Sequence, residues 1–232
     1  MLTLLKHPIR FIILLFSFAT PFSHASTLYP KDHILQPYRT DTPPRIDGLL
    51  DDDAWTFTRL DTLFLTYQPT YGDSLPFRTL IHMAYDAKNL YFAFECLDKE
   101  PDKIKTSITQ RDQIFSDDWV GLSLDALGNK QHSYDLFVNA NGIQADILNT
   151  PNEEDVSPDW VWDSAGRKTE TGYQVEIRVP LKSLQYQSGE QVIMGILFWR
   201  KISRLGLSGA FPELKPGRSE EHTSELQSPN TI

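Results

Sequence analysis

Tyr173-Gln174-Val175-Glu176-Ile177-Arg178-Val179 alternates apolar and polar residues without a break, and this stretch decides the fold class. A β-strand points successive side chains to opposite faces, so one face of the segment is buried and the other is wet. Leu90-Tyr91-Phe92-Ala93-Phe94-Glu95-Cys96 puts Leu90, Phe92, Phe94 and Cys96 on one side, and Val120-Gly121-Leu122-Ser123-Leu124 repeats the pattern. Further strands are predicted over residues 63–67, 79–85, 133–138, 144–148, 160–164 and 192–200. Turn chemistry separates several of them: Asp86-Ala87-Lys88-Asn89, Gly128-Asn129-Lys130, Asn139-Ala140-Asn141-Gly142 and Ser188-Gly189. Apart from short helical turns predicted at 51–57 and 181–184, no segment beyond the N-terminal stretch sustains a period of 3.6. The expected fold is all-β, an antiparallel β-sandwich of jelly-roll type, because packing two sheets buries one face of every strand.

The two ends of the chain differ in composition from the middle. Lys6 and Arg10 precede an apolar run at 11–19, and Ser23-His24-Ala25 places small residues around a cleavage point. The run is far shorter than the roughly 20 residues that span a bilayer, so residues 1–25 are expected to be a cleaved signal peptide. Residues 26–36 then form a lead-in and 37–204 the sandwich. Residues 205–217 are expected to begin a downstream region. Arg218 to Ser228 reads RSEEHTSELQS, which resembles the translation of a sequencing-library adapter, and 218–232 is set aside from the fold.

Cys96 is the sole cysteine, so no intramolecular disulfide forms and the hydrophobic core must hold the domain. Its apolar surroundings mark a buried, inert thiol. The formal net charge is −9, without a Lys/Arg cluster of the kind that tracks phosphates, which argues against nucleic acid as a partner. A neutral ligand such as a sugar, or a cation, suits that balance better.

Four separated pieces carry a family resemblance. Ile46-Asp47-Gly48-Leu49-Leu50-Asp51-Asp52-Asp53-Ala54-Trp55 is an opening signature, and Tyr85-Asp86-Ala87-Lys88-Asn89-Leu90-Tyr91 an early hairpin. Asp117-Asp118-Trp119-Val120 leading to Asp125, and Gly172 through Pro180, are the central and late motifs. In this order and spacing they resemble the family 9 carbohydrate-binding modules and related DOMON-like sandwiches at the front of a larger exported family. The resemblance implies non-catalytic carbohydrate binding in the periplasm or at the outer membrane of a Gram-negative bacterium, or secreted, within a carbohydrate-catabolic system. It also implies a barrel-like region downstream, so a structural domain that caps an outer-membrane barrel is the alternative. A haem-binding sandwich, through Met83, Met194 or His82, and a piece of a glycoside hydrolase are weaker alternatives.

Sugar rings stack their C–H faces on aromatic side chains and present hydroxyls to polar groups at the edge of the same platform. In the family 9 modules an aromatic pair sandwiches a terminal sugar. The first aromatic falls near Phe115 here. The second comes from beyond Trp199, where Phe211 is the one aromatic on offer. Trp160 and Trp162 stand two apart after the acidic loop at 152–159, and either form a platform or pack in the core. Trp55 belongs to the opening motif and is expected in the core. Tyr67, Tyr71 and Trp119 carry no pattern favouring a ligand. Asp117 and Asp118 are adjacent and point to opposite faces of a strand, a poor geometry for a two-carboxylate glycosidase, so their expected role is to bind a loop or a sugar hydroxyl. Asp51, Asp52 and Asp53 offer oxygen ligands of the kind Ca²⁺ takes, but their spacing matches no EF-hand loop and a solvated helix start competes. His33, His82 and His132 lack zinc spacing. No phosphate loop, Gly-x-Ser-x-Gly elbow or His-Glu-x-x-His motif occurs, and no enzyme activity is expected.

Overall fold

The computed structural model of the protein describes residues 10–15, 33–189 and 191–214. The predicted adapter-like tail and most of the predicted leader lie outside them. Of the leader, the backbone of β1 (Arg10–Leu15) is described and runs parallel to residues 191–196.

The alternating stretches form the centres of two sheets. The smaller one runs β12 (Asp163–Thr169), β13 (Gly172–Pro180), β7 (Asn89–Leu97), β6 (Thr79–Tyr85) and β3 (Tyr38–Arg39), with β4 (Leu60–Thr62) also on β6. The larger runs β11 (Glu154–Asp155), β10 (Gln144–Asn149), β9 (Ser133–Asn139), β8 (Trp119–Asp125), β14 (Gln191–Ile202), β1 and β2 (His33–Leu35). On the far side of β14 lies β15 (Leu207–Phe211), which in turn pairs with β5 (Leu65–Gln68). Pairing is antiparallel apart from β1 on β14 and β3 on β6. The chain is thus an all-β sandwich.

Between the sheets lies the core that the alternation predicts. Val120, Leu122 and Leu124 of β8, Leu136 and Val138 of β9, and Met194, Ile196 and Phe198 of β14 face Phe92, Phe94 and Cys96 of β7 and Val175, Ile177 and Val179 of β13. The Phe198 ring meets Phe92 and Phe94 edge-on at 6.3 and 6.0 Å, a geometry aromatic pairs favour. Cys96 is fully buried in this layer, and burial pushes its thiol up to about 11, as expected of an inert cysteine. Gly172 is required where β13 begins: a Cβ there would lie 1.9 Å from the Cys96 carbonyl oxygen of β7, and its φ is +151°.

Trp55 is buried, but on the outer face of the smaller sheet instead of between the sheets. The short helix α1 (Asp53–Thr56), where a helical turn was predicted, lays Ala54 and Trp55 over Ala84, Tyr91 and Ala93. One carboxylate fastens this cover. Glu176 Oε2 accepts the backbone N–H groups of Asp47 (2.9 Å) and Gly48 (2.7 Å), and Oε1 accepts the Trp55 indole N–H at 2.9 Å. Burial pushes the Glu176 carboxyl up to about 7 against these hydrogen bonds. The opening motif is therefore a latch closed by a residue more than a hundred positions away.

Two expectations need correction. The strand predicted at 160–164 begins only at Asp163, because side chains instead of a neighbouring strand satisfy the preceding backbone. Trp160 N–H donates to Asp146 and its carbonyl accepts from Arg111, while the Trp162 carbonyl accepts from Gln144. The sandwich also continues past residue 204, since β15 pairs with Phe198 through Ile202 of β14.

Glu176→Ala leaves three donors, two of them buried, without an acceptor. It is expected to lower the unfolding free energy by about 3 kcal/mol or more in urea denaturation. A loss below about 1 kcal/mol would mean that packing alone holds the opening motif.

Candidate functional site

The alternation that buries one face of the larger sheet sends a second set of side chains outward. On β8 these are Trp119, Gly121, Ser123 and Asp125; on β9, Ser133, Asp135 and Phe137; on β14, Leu197 and Trp199. At one end of this face Phe115, 40% exposed, reaches in from the loop before β8. Its ring lies 6.1 Å from Trp119 and 5.7 Å from Phe137, and the latter two stand 4.8 Å apart. Gly121 lies between Trp199 and Phe137 in the register. A Cβ there would come within 2.5 Å of the Phe137 ring, so the missing side chain lets that ring lie against the strand.

Trp199 stands on the other side of Gly121. Tyr67 of β5 meets its ring edge-on at 5.7 Å, and its indole N–H donates to Ser123 Oγ at 2.9 Å. Ser123 in turn hydrogen-bonds Asp135, which also accepts from Ser133 Oγ at 2.6 Å and Asn149 Nδ2 at 3.4 Å. Burial pushes the Asp135 carboxyl up to about 6, against these three partners. The chain Trp199–Ser123–Asp135 sets the orientation of a partly exposed aromatic ring on the outer face of the sheet. Beside it lies a cavity of about 400 Å³. Trp199, Ile196, Leu197, Pro151 and Leu214 form its apolar wall. Ser123, Asp125, Ser133, Asn149 and Thr150, with Lys130, Gln131 and His132 from the β8–β9 turn, form the polar one.

The predicted site residues divide between this face and the interior. Phe115 belongs to the aromatic end of the face. Asp117 has no exposed surface and accepts from Ser107 N, Ser107 Oγ and Asn139 Nδ2, tying the 104–118 loop to β9. Asp118, also buried, accepts the Ser203 N–H at 2.7 Å, and burial raises its carboxyl above the ordinary range. Both carboxylates thus hold loops. Trp162 is buried in the main core under the Arg111 guanidinium, and Trp160 packs at 4.8 Å on Tyr134. The void beside them measures about 10 Å³, far below the few hundred Å³ of a ligand pocket. Phe211 packs in the core against Phe64.

Asp52 accepts the Arg45 backbone N–H, and Asp51 pairs with the Arg45 guanidinium. Among the described residues no three His, Cys, Asp or Glu side chains group to hold a metal ion. Met83 and Met194 lie in the core, while His82 Nδ1 hydrogen-bonds the Trp55 carbonyl oxygen and burial holds the imidazole below its usual range.

Sequence reasoning missed Trp199, Ser123, Asp125 and Asp135. No local signal marks Trp199, because Val192 to Trp199 is apolar or glycine in both alternate sets and nothing marks which of them faces outward.

An antiparallel sandwich with an aromatic strip and a half-polar cavity on one outer face is the architecture of a binding module. Residues 46–199 match the carbohydrate family 9 binding domain-like family, and the chain belongs to it. That family is one of non-catalytic binding modules. Among solved structures the chain is similar to a family 9 carbohydrate binding module from Caldicellulosiruptor kristjanssonii in complex with glucose, at 19% identity and a TM-score of 0.50, covering 75% of this chain and 83% of that one. The cellotriose complex from the same organism gives 20% identity, a TM-score of 0.50 and coverage of 75% and 82%. A candidate carbohydrate-binding protein from Bacteroides uniformis gives 14% identity, a TM-score of 0.54 and coverage of 78% and 91%. These likenesses establish the fold. A search of curated proteins finds no match.

The raised Asp135 carboxyl makes stability depend on pH. Its folded value lies above the ordinary one, so the folded chain holds the proton more tightly than the unfolded chain. Stability therefore falls as pH rises from about 4 to about 6 and is level above that. Asp135→Asn removes this share, on the order of 2–3 kcal/mol, while Glu176 leaves a fall of the same sign in the variant. Urea unfolding between about pH 4 and 8 should show the wild-type-minus-variant difference shrinking as pH rises. A flat difference would mean that Asp135 is ionised throughout.

Proposed function

We propose that this protein is a non-catalytic carbohydrate-binding module that takes its sugar on the outer face of the larger sheet, stacked on Trp199 beside the polar cavity. The carrying observation is the Trp199 ring, held by Ser123 and Asp135 next to hydroxyl, amide and carboxylate groups. That is the mixture a sugar requires, a flat apolar surface with hydrogen-bonding groups at its edge. Relatives of the same fold in complex with glucose and cellotriose support the class of ligand. Phe115 adds an exposed ring at the other end of the face, resting on the buried Trp119 and Phe137, and the net charge of −9 suits a neutral ligand.

Burying about 100 Å² of sugar face at roughly 25 cal/mol per Å² contributes about 2.5 kcal/mol before hydrogen bonds. Association costs offset much of this, so the affinity belongs between about mM and μM. The setting we propose is extracytoplasmic, in the periplasm or at the outer membrane, as one module of a larger glycan-processing protein. The basic and apolar composition of residues 1–25 supports export.

A glycan titration followed by tryptophan fluorescence tests the reading. Wild type should give a saturable change. Trp199→Ala should lose it, weakening binding at least about tenfold with folding intact, and Phe115→Ala should weaken it less. Saturable binding that is indifferent to Trp199→Ala would move the sugar off this face, and a flat response to a broad glycan set would sink the function.

A further inference from the structure

Among the described residues the larger sheet departs from antiparallel pairing at one place, β1 on β14. On the edge of β14 away from β8, residues 198–202 pair with β15 and residues 191–196 with β1. β2 pairs antiparallel with the far edge of β1, so it runs antiparallel to β14 from one strand further out. The two registers fix the levels. Ile13 lies between Met194 and Leu35, Leu14 between Gly195 and Ile34, and Leu15 between Ile196 and His33. Burial alternates in the same phase on both sides. Val192 and Met194 are buried and Ile193 is exposed, while Leu35 packs against the core, Gln36 is exposed and Pro37 is buried. The lead-in thus has the direction, the level and the alternation of an antiparallel partner for β14, with a strand of the leader between them.

Resting on the export reading above, we propose that removal of the leader exchanges strands at this edge: residues 33–36 take the place of β1 and pair antiparallel with residues 193–196 of β14. The covalent step is hydrolysis of the Ala25–Ser26 peptide bond by a signal peptidase, with water supplying the new carboxylate and amine. Loss of β1 uncovers backbone N–H and C=O groups on β14, and an open edge is a template for the nearest extended segment. That segment is β2, which has to move inward by one strand spacing, about 4.8 Å. Its anchor need not move. Tyr38 and Arg39 stay on β6, and the Thr40 N–H donates to the Tyr85 carbonyl at 2.9 Å. Pro37 favours extended backbone at Gln36 and has no N–H to leave unpaired, so it suits the end of the new pairing. The short tether raises the effective concentration of this occupant above that of a second copy. After the exchange the larger sheet is antiparallel through β14.

The experiment introduces Gln36→Cys together with Ile193→Cys, both at exposed positions, and oxidises the full chain and the chain beginning at Ser26. In the full chain β1 separates the two positions by two strand spacings, about 9.6 Å, beyond the roughly 7 Å between Cα atoms that a disulfide spans. After the exchange they stand opposite each other, about 5 Å apart. A disulfide within the monomer should therefore form in the chain beginning at Ser26 and not in the full chain. Hydrogen exchange should find the amides of residues 191–196 equally protected in both. A disulfide in both forms or in neither overturns the proposal, as does one that joins two copies. Loss of protection at 191–196, or failure of the chain beginning at Ser26 to fold, also overturns it. All of these leave the export reading standing, whereas an exported protein whose sequenced N-terminus still carries residues 1–25 overturns both.

Discussion

Strand β14 must satisfy two surfaces at once. Its even positions, Met194, Ile196 and Phe198, press into the core, while Leu197 and Trp199 line the outer face. The period-two geometry of a strand allows no other division, so any slip in register that moved Trp199 inward would push Phe198 out of its contacts with Phe92 and Phe94. Pairing with β8 on one edge and with β1 and β15 on the other holds that register. Arg200 adds a lock. Fully buried, its guanidinium donates across the sandwich to the carbonyls of Phe77, Arg78 and Leu97 and to Thr79 Oγ1. A charge in that position is tolerable only while those acceptors stay in place, which ties the site-bearing strand to the opposite sheet.

The two outer faces of the sandwich meet different fates. On the smaller sheet the opening motif folds over Ala84, Tyr91 and Ala93, and Glu176 fastens it through three hydrogen bonds. On the larger sheet Phe115, Trp119 and Phe137 pack on one another, and Trp199 is held by Ser123 and Asp135. Aromatic side chains are therefore present on both outer faces. The loop before β8 lays Ile114 and Phe115 over Trp119 and Phe137, so that end of the larger sheet is covered too, while Trp199 stays partly exposed beside the cavity.

Much of the fold was legible because Tyr173 to Val179 and Val120 to Leu124 alternate and the other core strands are apolar runs bounded by turn residues. The predictions at 79–85, 133–138, 144–148 and 192–200 fall on β6, β9, β10 and β14, and the Asp86 turn forms as read, with its carboxylate accepting from Lys88 and Asn89. Asp163–Thr169 was misplaced because Gly166, Arg167 and Lys168 carry no alternation, and their strand exists through pairing with β13. Leu207–Phe211 was left out because Leu-Ser-Gly-Ala-Phe is too short to show a period. The site was less legible. Phe115 could be reached through the family motif. Trp199, Asp125 and Asp135 come together only when β8, β9 and β14 lie side by side, across separations that no local pattern encodes.

By itself the sequence determined the class of fold and the inward-facing residues of Tyr173 to Val179 and Val120 to Leu124, because alternation is a local property that a strand carries whatever its neighbours. It also determined that Cys96 is inert and that no disulfide supports the domain, since both follow from a single cysteine in an apolar strand. Tertiary structure decided that Trp55 covers an outer face, that Asp117 and Asp118 are spent on loops, and that Trp160 and Trp162 pack inward. It also decided that Trp199 stands over a half-polar cavity. Those outcomes depend on which strands become neighbours and which loops fold back over them, and the contacts responsible join residues as far apart as Trp55 and Glu176, or Ser123 and Trp199.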